Sequence, residues 1–268
     1  MVRLEYRYDI SSIIVSYNCL DSLKECVDSL RDQDGPTSEI IVIDNDSHDA
    51  TASFLKTQPF KKILPGRNLG FSRAVNLGAR QAEGRYLLIL NPDTVLPARA
   101  FRQLQAFADS QPDFGLVSPV LVHPNGHPQL SARTLPRRRD FLFGRGSPMF
   151  RMGLSREKKG GYIDPDHAGP VEVPAVSATA LFVRAELFQK MRGFDERFFM
   201  YLEDLDLCKR IRQIGLKIWI LPGIQIVHGW RASSRKRPFF ALYQHHLSIY
   251  RYFRKHYPSE WCPNVAIG

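Results

Sequence analysis

The sequence is poor in cysteine. Its four, Cys19, Cys26, Cys208 and Cys262, form no CxxC pair and no zinc-like spacing. That excludes a disulfide-stapled scaffold and a zinc ribbon, and it suits small apolar packing in a reducing cytosol. No stretch approaches eighteen apolar residues, and the charged first nine residues lack an apolar core. Neither a membrane span nor a signal peptide is expected, so the expected location is cytoplasmic. There is no GxGxxG after the first apolar run and no GxxxxGK[ST], which argues against a dinucleotide oxidoreductase and a P-loop NTPase. Internal repeats and low-complexity tracts are also missing. What is present is 268 residues, 44% hydrophobic and 24% charged, enough for one large core or two small ones and incompatible with intrinsic disorder.

The formal charge is +10, with 37 Lys and Arg against 27 Asp and Glu, and it is unevenly placed. Residues 133–161 hold nine basic residues against Asp140 and Glu157, a local +7; residues 229–268 hold seven against Glu260, a local +6. The rest of the chain is therefore slightly acidic. Nucleic acid, anionic lipid and a phosphorylated substrate are the acidic partners such a distribution suits, alongside plain solvated surface charge.

The first half alternates buried-strand runs with helical periodicity. SIIVSY (12–17) reads as a strand, and Leu20, Leu23, Cys26, Val27 and Leu30 follow at helical spacing. IIVID (40–44) is a second strand, residues 61–64 a short third, residues 71–82 an amphipathic helix and YLLIL (86–90) a further strand. Continuous apolar strands separated by helices predict a mostly parallel sheet covered on both faces, an α/β fold. Ligands of such sheets bind beyond the carboxyl ends of the strands. Here those ends read Tyr17-Asn18, Asp44-Asn45-Asp46 and Asn91-Pro92-Asp93-Thr94, so polar groups are expected to converge on one edge. A helix at 98–110 and a strand at 114–122 come next. Between 123 and 170 the pattern dissolves into Pro, Gly and Arg, a stretch longer than ordinary loops. Order is expected again from 171, with a helix from Ala185, two short apolar runs at 216–227 broken by Pro222-Gly223, and a C-terminal helix within 238–256.

Six motifs occur in order: SIIVSYN, IIVIDNDSHDAT, PGRNLGFSRAVNLGAR, LLILNPDT, GFDERFFMYLEDLDLCKRI and VHGW. Over residues 10–230 the chain resembles the family 2 glycosyltransferases of GT-A fold, particularly their rhamnosyltransferase branch. The resemblance implies one nucleotide-sugar-binding domain over 1–230, with 123–170 as an irregular basic insertion and 231–268 as a helical, basic extension. It implies an inverting transfer of a sugar, such as rhamnose from dTDP-rhamnose, onto a hydroxyl of a cell-surface glycan. Such a reaction needs a nucleotide pocket, a divalent cation for the diphosphate leaving group and a carboxylate that takes the attacking hydroxyl's proton.

The resemblance also distributes roles. Asp44 is expected to accept hydrogen bonds from the base or ribose, with Ser16 and Asn18 lining the same pocket, while Asp46, Ser47 and Asp49 suit turn and cap positions. Arg67 and Asn68 stand where they can reach a phosphate, Asn68 doubling as a helix cap. Asn91 and Asp93 occupy the place of the family's Asp-x-Asp motif; Asp93 is the expected metal ligand, and Asn91 offers a neutral oxygen. His228 is the expected second ligand and favours Mn²⁺ over Mg²⁺. Asp204 is the expected general base, Glu203 its assistant, and Asp206 a partner of the helix N-terminus. Ser177-Ala178-Thr179 is expected to shape the sugar pocket. The expected partners are a dTDP- or UDP-sugar donor and a glycan or polyprenyl-diphosphate acceptor, with peripheral contact to an anionic membrane on its cytoplasmic face. The competing class, a basic nucleic-acid-binding protein, draws on Arg interleaved with aromatics at 137–143 and 235–240 and leaves the carboxylates unexplained; a catalytically inactive nucleotide-sugar-binding protein is a further alternative.

Overall fold

The computed structural model describes residues 5–136, 167–229 and 238–258. Most of the two basic concentrations, residues 137–159 and 231–237, and both Arg-aromatic stretches up to residue 237 lie outside the described residues.

The strands are β1 (Tyr8–Ser16), β2 (Ser38–Asp44), β3 (Lys61–Ile63), β4 (Gly84–Leu90), β5 (Thr94–Val95), β6 (Phe114–Val122), β7 (Ala132–Arg133), β8 (Val171–Glu172), β9 (Ala175–Val176), β10 (Ala180–Arg184) and β11 (Lys217–His228). The helices are α1 (Leu20–Arg31), α2 (Thr51–Lys56), α3 (Phe71–Ala79), α4 (Ala100–Ser110), α5 (Ala185–Lys190), α6 (Glu203–Gln213) and α7 (Pro238–His256). Among the described residues the main sheet runs β3-β2-β1-β4-β10-β6-β11-β5, with β8 paired to β11, and β7 and β9 form a separate ribbon. β1, β2, β3 and β4 are mutually parallel, as are β6 and β11, while β10 is antiparallel between β4 and β6. This is the GT-A-like α/β architecture the sequence predicts.

Period-two alternation divides the core. From β1, Ile13 and Val15 face the layer of α3, α6 and α7, and Ile10 and Ile14 face α1 and α4. The helices answer with their apolar stripes: Leu23, Cys26, Val27 and Leu30 of α1 on one side, Leu207, Cys208 and Ile211 of α6 on the other. Cys26 and Cys208 are fully buried free thiols, and burial pushes each up to about 12. They pack as small apolar groups, as expected.

Several local expectations shift. The expected pair of runs at 216–227 is one strand, β11, with an irregularity between Leu221 and Gln225 that absorbs Pro222-Gly223. The ordered region from 171 is three short strands. The stretch beginning at 123 starts with a closed turn, His123 accepting the Gly126 N–H at 2.8 Å, and then β7. At the other end, Tyr252 and Phe253 of α7 are buried in the same core as β1 and α6.

Asp206 has a different place from the one expected. Its side chain is fully buried and accepts from Arg210 Nε at 2.8 Å, Lys255 Nζ at 2.6 Å and the His256 ring at 2.7 Å. Burial by itself raises its carboxyl, but the hydrogen bond from His256 and the charges of Arg210 and Lys255 outweigh burial and hold it below the usual carboxylate range. Asp206 thus ties α7 to α6 and is not an exposed complement to a helix terminus.

Candidate functional site

The carboxyl ends of β1, β2 and β4 do converge. They bound a cavity of about 450 Å³ whose lining includes Tyr17, Asn45, Asn68, Asn91, Asp93, Gln129, Ser177, Tyr201, His228 and Phe240. A larger hollow of about 670 Å³ lies around Asn76, Arg80, Arg192 and Arg210, away from the strand ends. Its Arg210 is engaged with Asp206 and with the Met191 and Gly193 carbonyls. The strand-end cavity is the one that gathers Asn68, Asn91, Asp93 and His228 of the expected site residues.

At its floor, β5 pairs with the last two residues of β11, His228 opposite Thr94, and the Gly229 N–H donates to the Asp93 carbonyl at 2.8 Å. This pairing brings the Asp93 Oδ1 to 3.3 Å from His228 Nε2, with both side chains nearly buried. Gln129 sets the imidazole. Its Nε2 donates to the His228 carbonyl at 2.8 Å, so its Oε1 must face His228 Nδ1, at 2.7 Å, and accept a proton from it. A flipped amide would set oxygen against carbonyl oxygen, so the assignment does not rest on the amide alone. In the neutral ring Nε2 is then an acceptor turned toward a carboxylate, and two lone pairs at that separation repel unless a proton or cation lies between them. The donor set, one carboxylate and one imidazole oriented by a neighbouring amide, fits a divalent cation that draws its other ligands from phosphate and water. Among the described residues no third His, Cys, Asp or Glu joins them.

The wall above is held by asparagine side chains. The Asn45 N–H donates to the Ser16 carbonyl, its Oδ1 accepts from the Leu69 N–H at 2.7 Å, and its Nδ2 donates to Asn68 Oδ1 at 2.9 Å. Asn68 Oδ1 also accepts from the Gly70 N–H at 2.9 Å, an Asx-type turn. Asn68 therefore does not cap α3, whose flanking residue is Gly70, with φ +78°. A Cβ at Gly70 would stand 2.5 Å from the Phe199 carbonyl oxygen, to which the Phe71 N–H donates at 2.7 Å, so only glycine allows the approach.

Ser16, Asn18, Asp44, Arg67, Glu203 and Asp204 do not line the cavity. Ser16 is fully buried, and Arg67 is exposed. Asn18 uses its backbone N–H on Ser47 Oγ and its Oδ1 on the His48 N–H, and Ser47 Oγ donates to Asp44 Oδ1. The ends of β1 and β2 are thereby locked together, with Asn18 and Asp46 both at positive φ, which Asn and Asp tolerate. The side chain that β2 sends into the cavity is Asn45.

Asn91, at the end of β4, donates its N–H to the Thr179 carbonyl at 2.9 Å, which sets Ser177-Ala178-Thr179 alongside it. The Ala178 N–H in turn donates to Asp204 Oδ2 at 3.2 Å, and the Leu205 N–H to Asp204 Oδ1 at 2.8 Å. Asp204 is thus fixed behind the Ser177 to Thr179 wall, half-buried. Tyr201 and Leu202 precede it at φ +70° and +64°. Two successive bulky residues in the left-handed region are strained, and their turn is what aims the start of α6. Glu203 is buried, and its Oε2 finds no hydrogen-bond partner among the described residues. Burial, then the adjacent Asp204 charge, push its carboxyl well above the ordinary range.

The residues that sequence reasoning missed are Gln129 and Arg133, both from the stretch read as irregular, and Phe240 of α7. Gln129 meets His228 across 99 positions of sequence, a pairing with no local signature.

Known proteins share the sequence family and the fold. A rhamnosyltransferase of Mycobacterium tuberculosis, N-acetylglucosaminyl-diphospho-decaprenol L-rhamnosyltransferase, is 27% identical over 83% of this chain and 76% of its own length. The rhamnosyltransferase WbbL of Escherichia coli K12 is 25% identical over 91% of this chain and 92% of its own. In fold, GalNAc-T7, solved with UDP, GalNAc and Mn²⁺, superposes with a TM-score of 0.63 at 18% identity, over 84% of this chain and 44% of that one. The mannosyltransferase PcManGT of Pyrobaculum calidifontis, solved with GDP-Man and Mn²⁺, gives 0.56 at 22%, over 92% and 65%. The sequence profile of glycosyl transferase family 2 matches residues 11–191, two thirds of the chain and nearly all of the strand ends that shape the cavity. The chain belongs to glycosyl transferase family 2.

Proposed function

We propose that this glycosyltransferase moves a sugar, with inversion, from a nucleotide-sugar donor in the strand-end cavity to a hydroxyl of a lipid-linked or cell-surface glycan. The observation that carries the reading is the Asp93–His228 pair, oriented by Gln129 at the mouth of β4 and β11. Asp93 and His228 would hold a divalent cation, Mn²⁺ suiting the mixed donor set, which when bound supplies neutralising charge to the departing diphosphate. Asn68 and Asn91 offer neutral amides to the nucleotide, Asn45 holds Asn68 in place, and Asp44 supports that wall through Ser47. Asp204 takes the proton as the acceptor oxygen bonds to the anomeric carbon and the nucleoside diphosphate departs. Its two backbone hydrogen bonds leave each oxygen a lone pair for that task.

Likeness to the two rhamnosyltransferases supports dTDP-rhamnose as donor, and the mycobacterial relative's name supports a polyprenyl-diphosphate sugar as acceptor. Such an acceptor places the enzyme at the cytoplasmic surface of an anionic membrane, as a peripheral protein. Among the described residues no helix is long and apolar enough to cross one. The test is a panel of dTDP-, UDP- and GDP-sugars assayed for thermal stabilisation and for nucleoside diphosphate release, with Mn²⁺ and with EDTA. One donor is expected to stabilise the protein and turn over only with metal. Failure of every donor to bind would overturn the reading.

A further inference from the structure

Among the described residues Arg133 is the only lysine or arginine that lines the cavity. Its backbone is fixed by the β7–β9 ribbon and by the neighbouring Ser131, whose Oγ accepts from the Leu121 N–H at 2.8 Å. The side chain is exposed and has no hydrogen bond or ion pair among the described residues. Arg133 shares the cavity lining with Met200 and Tyr201, which precede α6, and with Phe240 and Ala241 of α7.

The cavity wall on that side is apolar. Leu130, Met200, Tyr201, Phe240 and Ala241 contribute to it, with Phe240 edge-on to Phe199 at 5.6 Å and Tyr201 against His245 at 5.5 Å. The same two turns of α7 continue outward as Phe239, Leu242 and Tyr243, which are 86%, 52% and 63% exposed. The helix carries no Asp or Glu at all. An open cation at one end of an apolar track that leaves the cavity is complementary to an anionic head on a hydrocarbon chain.

We propose that Arg133 and the first two turns of α7 form a subsite for a prenyl diphosphate, the guanidinium pairing with the diphosphate and the chain running along Phe240 toward Leu242 and Tyr243. The proposal rests on the transferase reading and assigns the acceptor's carrier to it. Donor and acceptor both bring a diphosphate, so the experiment separates them.

Farnesyl diphosphate, inorganic diphosphate and dTDP are titrated into the full chain by calorimetry, for wild type, Arg133→Gln and the double variant Leu242→Ser/Tyr243→Ser. All three positions are exposed, so the fold is expected to survive, and circular dichroism checks it. Arg133→Gln is expected to weaken farnesyl diphosphate by about tenfold or more and dTDP less than about twofold, the loss of a charge-assisted pair. The double variant is expected to weaken farnesyl diphosphate alone. The subsite is overturned if wild type ignores farnesyl diphosphate, if Arg133→Gln changes nothing, or if it weakens dTDP equally, which would give Arg133 to the donor. In each of those cases intact dTDP-sugar turnover by wild type would leave the transferase reading standing.

Discussion

Gln129 holds His228 at two points, the backbone carbonyl at 2.8 Å and the ring Nδ1 at 2.7 Å, and so decides which ring nitrogen faces Asp93. A residue from a stretch without periodic pattern thus sets the chemistry of a strand end 99 positions away. Outer partners of this kind raise the basicity of a ligating imidazole and fix its rotation.

Removing that hold is expected to loosen the proposed cation site without unfolding the protein. Gln129→Ala should reduce Mn²⁺ affinity by about 10- to 100-fold. Titration of Mn²⁺ by electron paramagnetic resonance, in the presence of nucleoside diphosphate, reads it directly. An unchanged affinity would mean that His228 is not a ligand.

The two carboxylates at the start of α6 should separate in function. Asp204→Asn is expected to lower turnover at least about a hundredfold while donor binding persists, because it removes the proton acceptor and little else. Near-full activity would remove Asp204 from the base role.

Glu203→Gln tests stability. Its carboxyl lies above the ordinary range in the fold, so the wild-type side chain favours folding most below its unfolded value of about 4.3. That advantage is lost as pH rises toward the folded value. The neutral amide has no such loss. The melting temperature of the variant relative to wild type should therefore climb as pH rises above about 4. A difference independent of pH would show that the carboxylate ionises in the fold without penalty.

Asp206 behaves in the opposite sense. Its carboxyl is held low by His256, Arg210 and Lys255 against the effect of burial, so its contribution is present above about 3.9 and is lost as pH falls through the lower folded value. Asp206→Asn leaves Arg210 and Lys255 without their common carboxylate and is expected to cost about 3–5 kcal/mol. Denaturant unfolding at neutral pH measures this, and limited proteolysis within α7 should accelerate with it. A loss below 1 kcal/mol, on the scale of an exposed pair, would refute the tie between α6 and α7.

Gly70→Ala would bring a Cβ to 2.5 Å from the Phe199 carbonyl oxygen at a φ of +78°. Strain of that kind exceeds about 1 kcal/mol, and relief requires the Asn68 turn to move. Donor affinity and melting temperature are both expected to fall; a variant with wild-type values for both would mean that the turn is not held where it stands.

Much of the frame was legible. The buried runs of β1, β2, β4 and β6 and the stripes of α1, α3 and α6 follow from periodicity, because side-chain alternation and the 3.6-residue turn are local properties. The strand-end carboxylates could be named for the same reason: in a parallel sheet they follow each apolar run. Asp206 shows the limit. Its position in a first helical turn suggests the helix terminus, and only the packing of α7 reveals Lys255 and His256 against it. Asn45 took the cavity position expected of Asp44 because the β2 end turns left-handed at Asp46 and Ser47 occupies the Asp44 oxygen.

The charge asymmetry illustrates the same division. Sequence alone established that the +10 is concentrated in two stretches, but it could not distinguish structural cations from open ones. Tertiary structure spends Lys255 on Asp195 and Asp206 and leaves Arg133 in the cavity. The physical reason is range. Periodicity and strand-end chemistry are written within a dozen neighbouring residues, whereas the Asp93–His228 contact, its Gln129 support and the Asp206 network join segments 50 to 135 positions apart, and only a folded sheet brings them together.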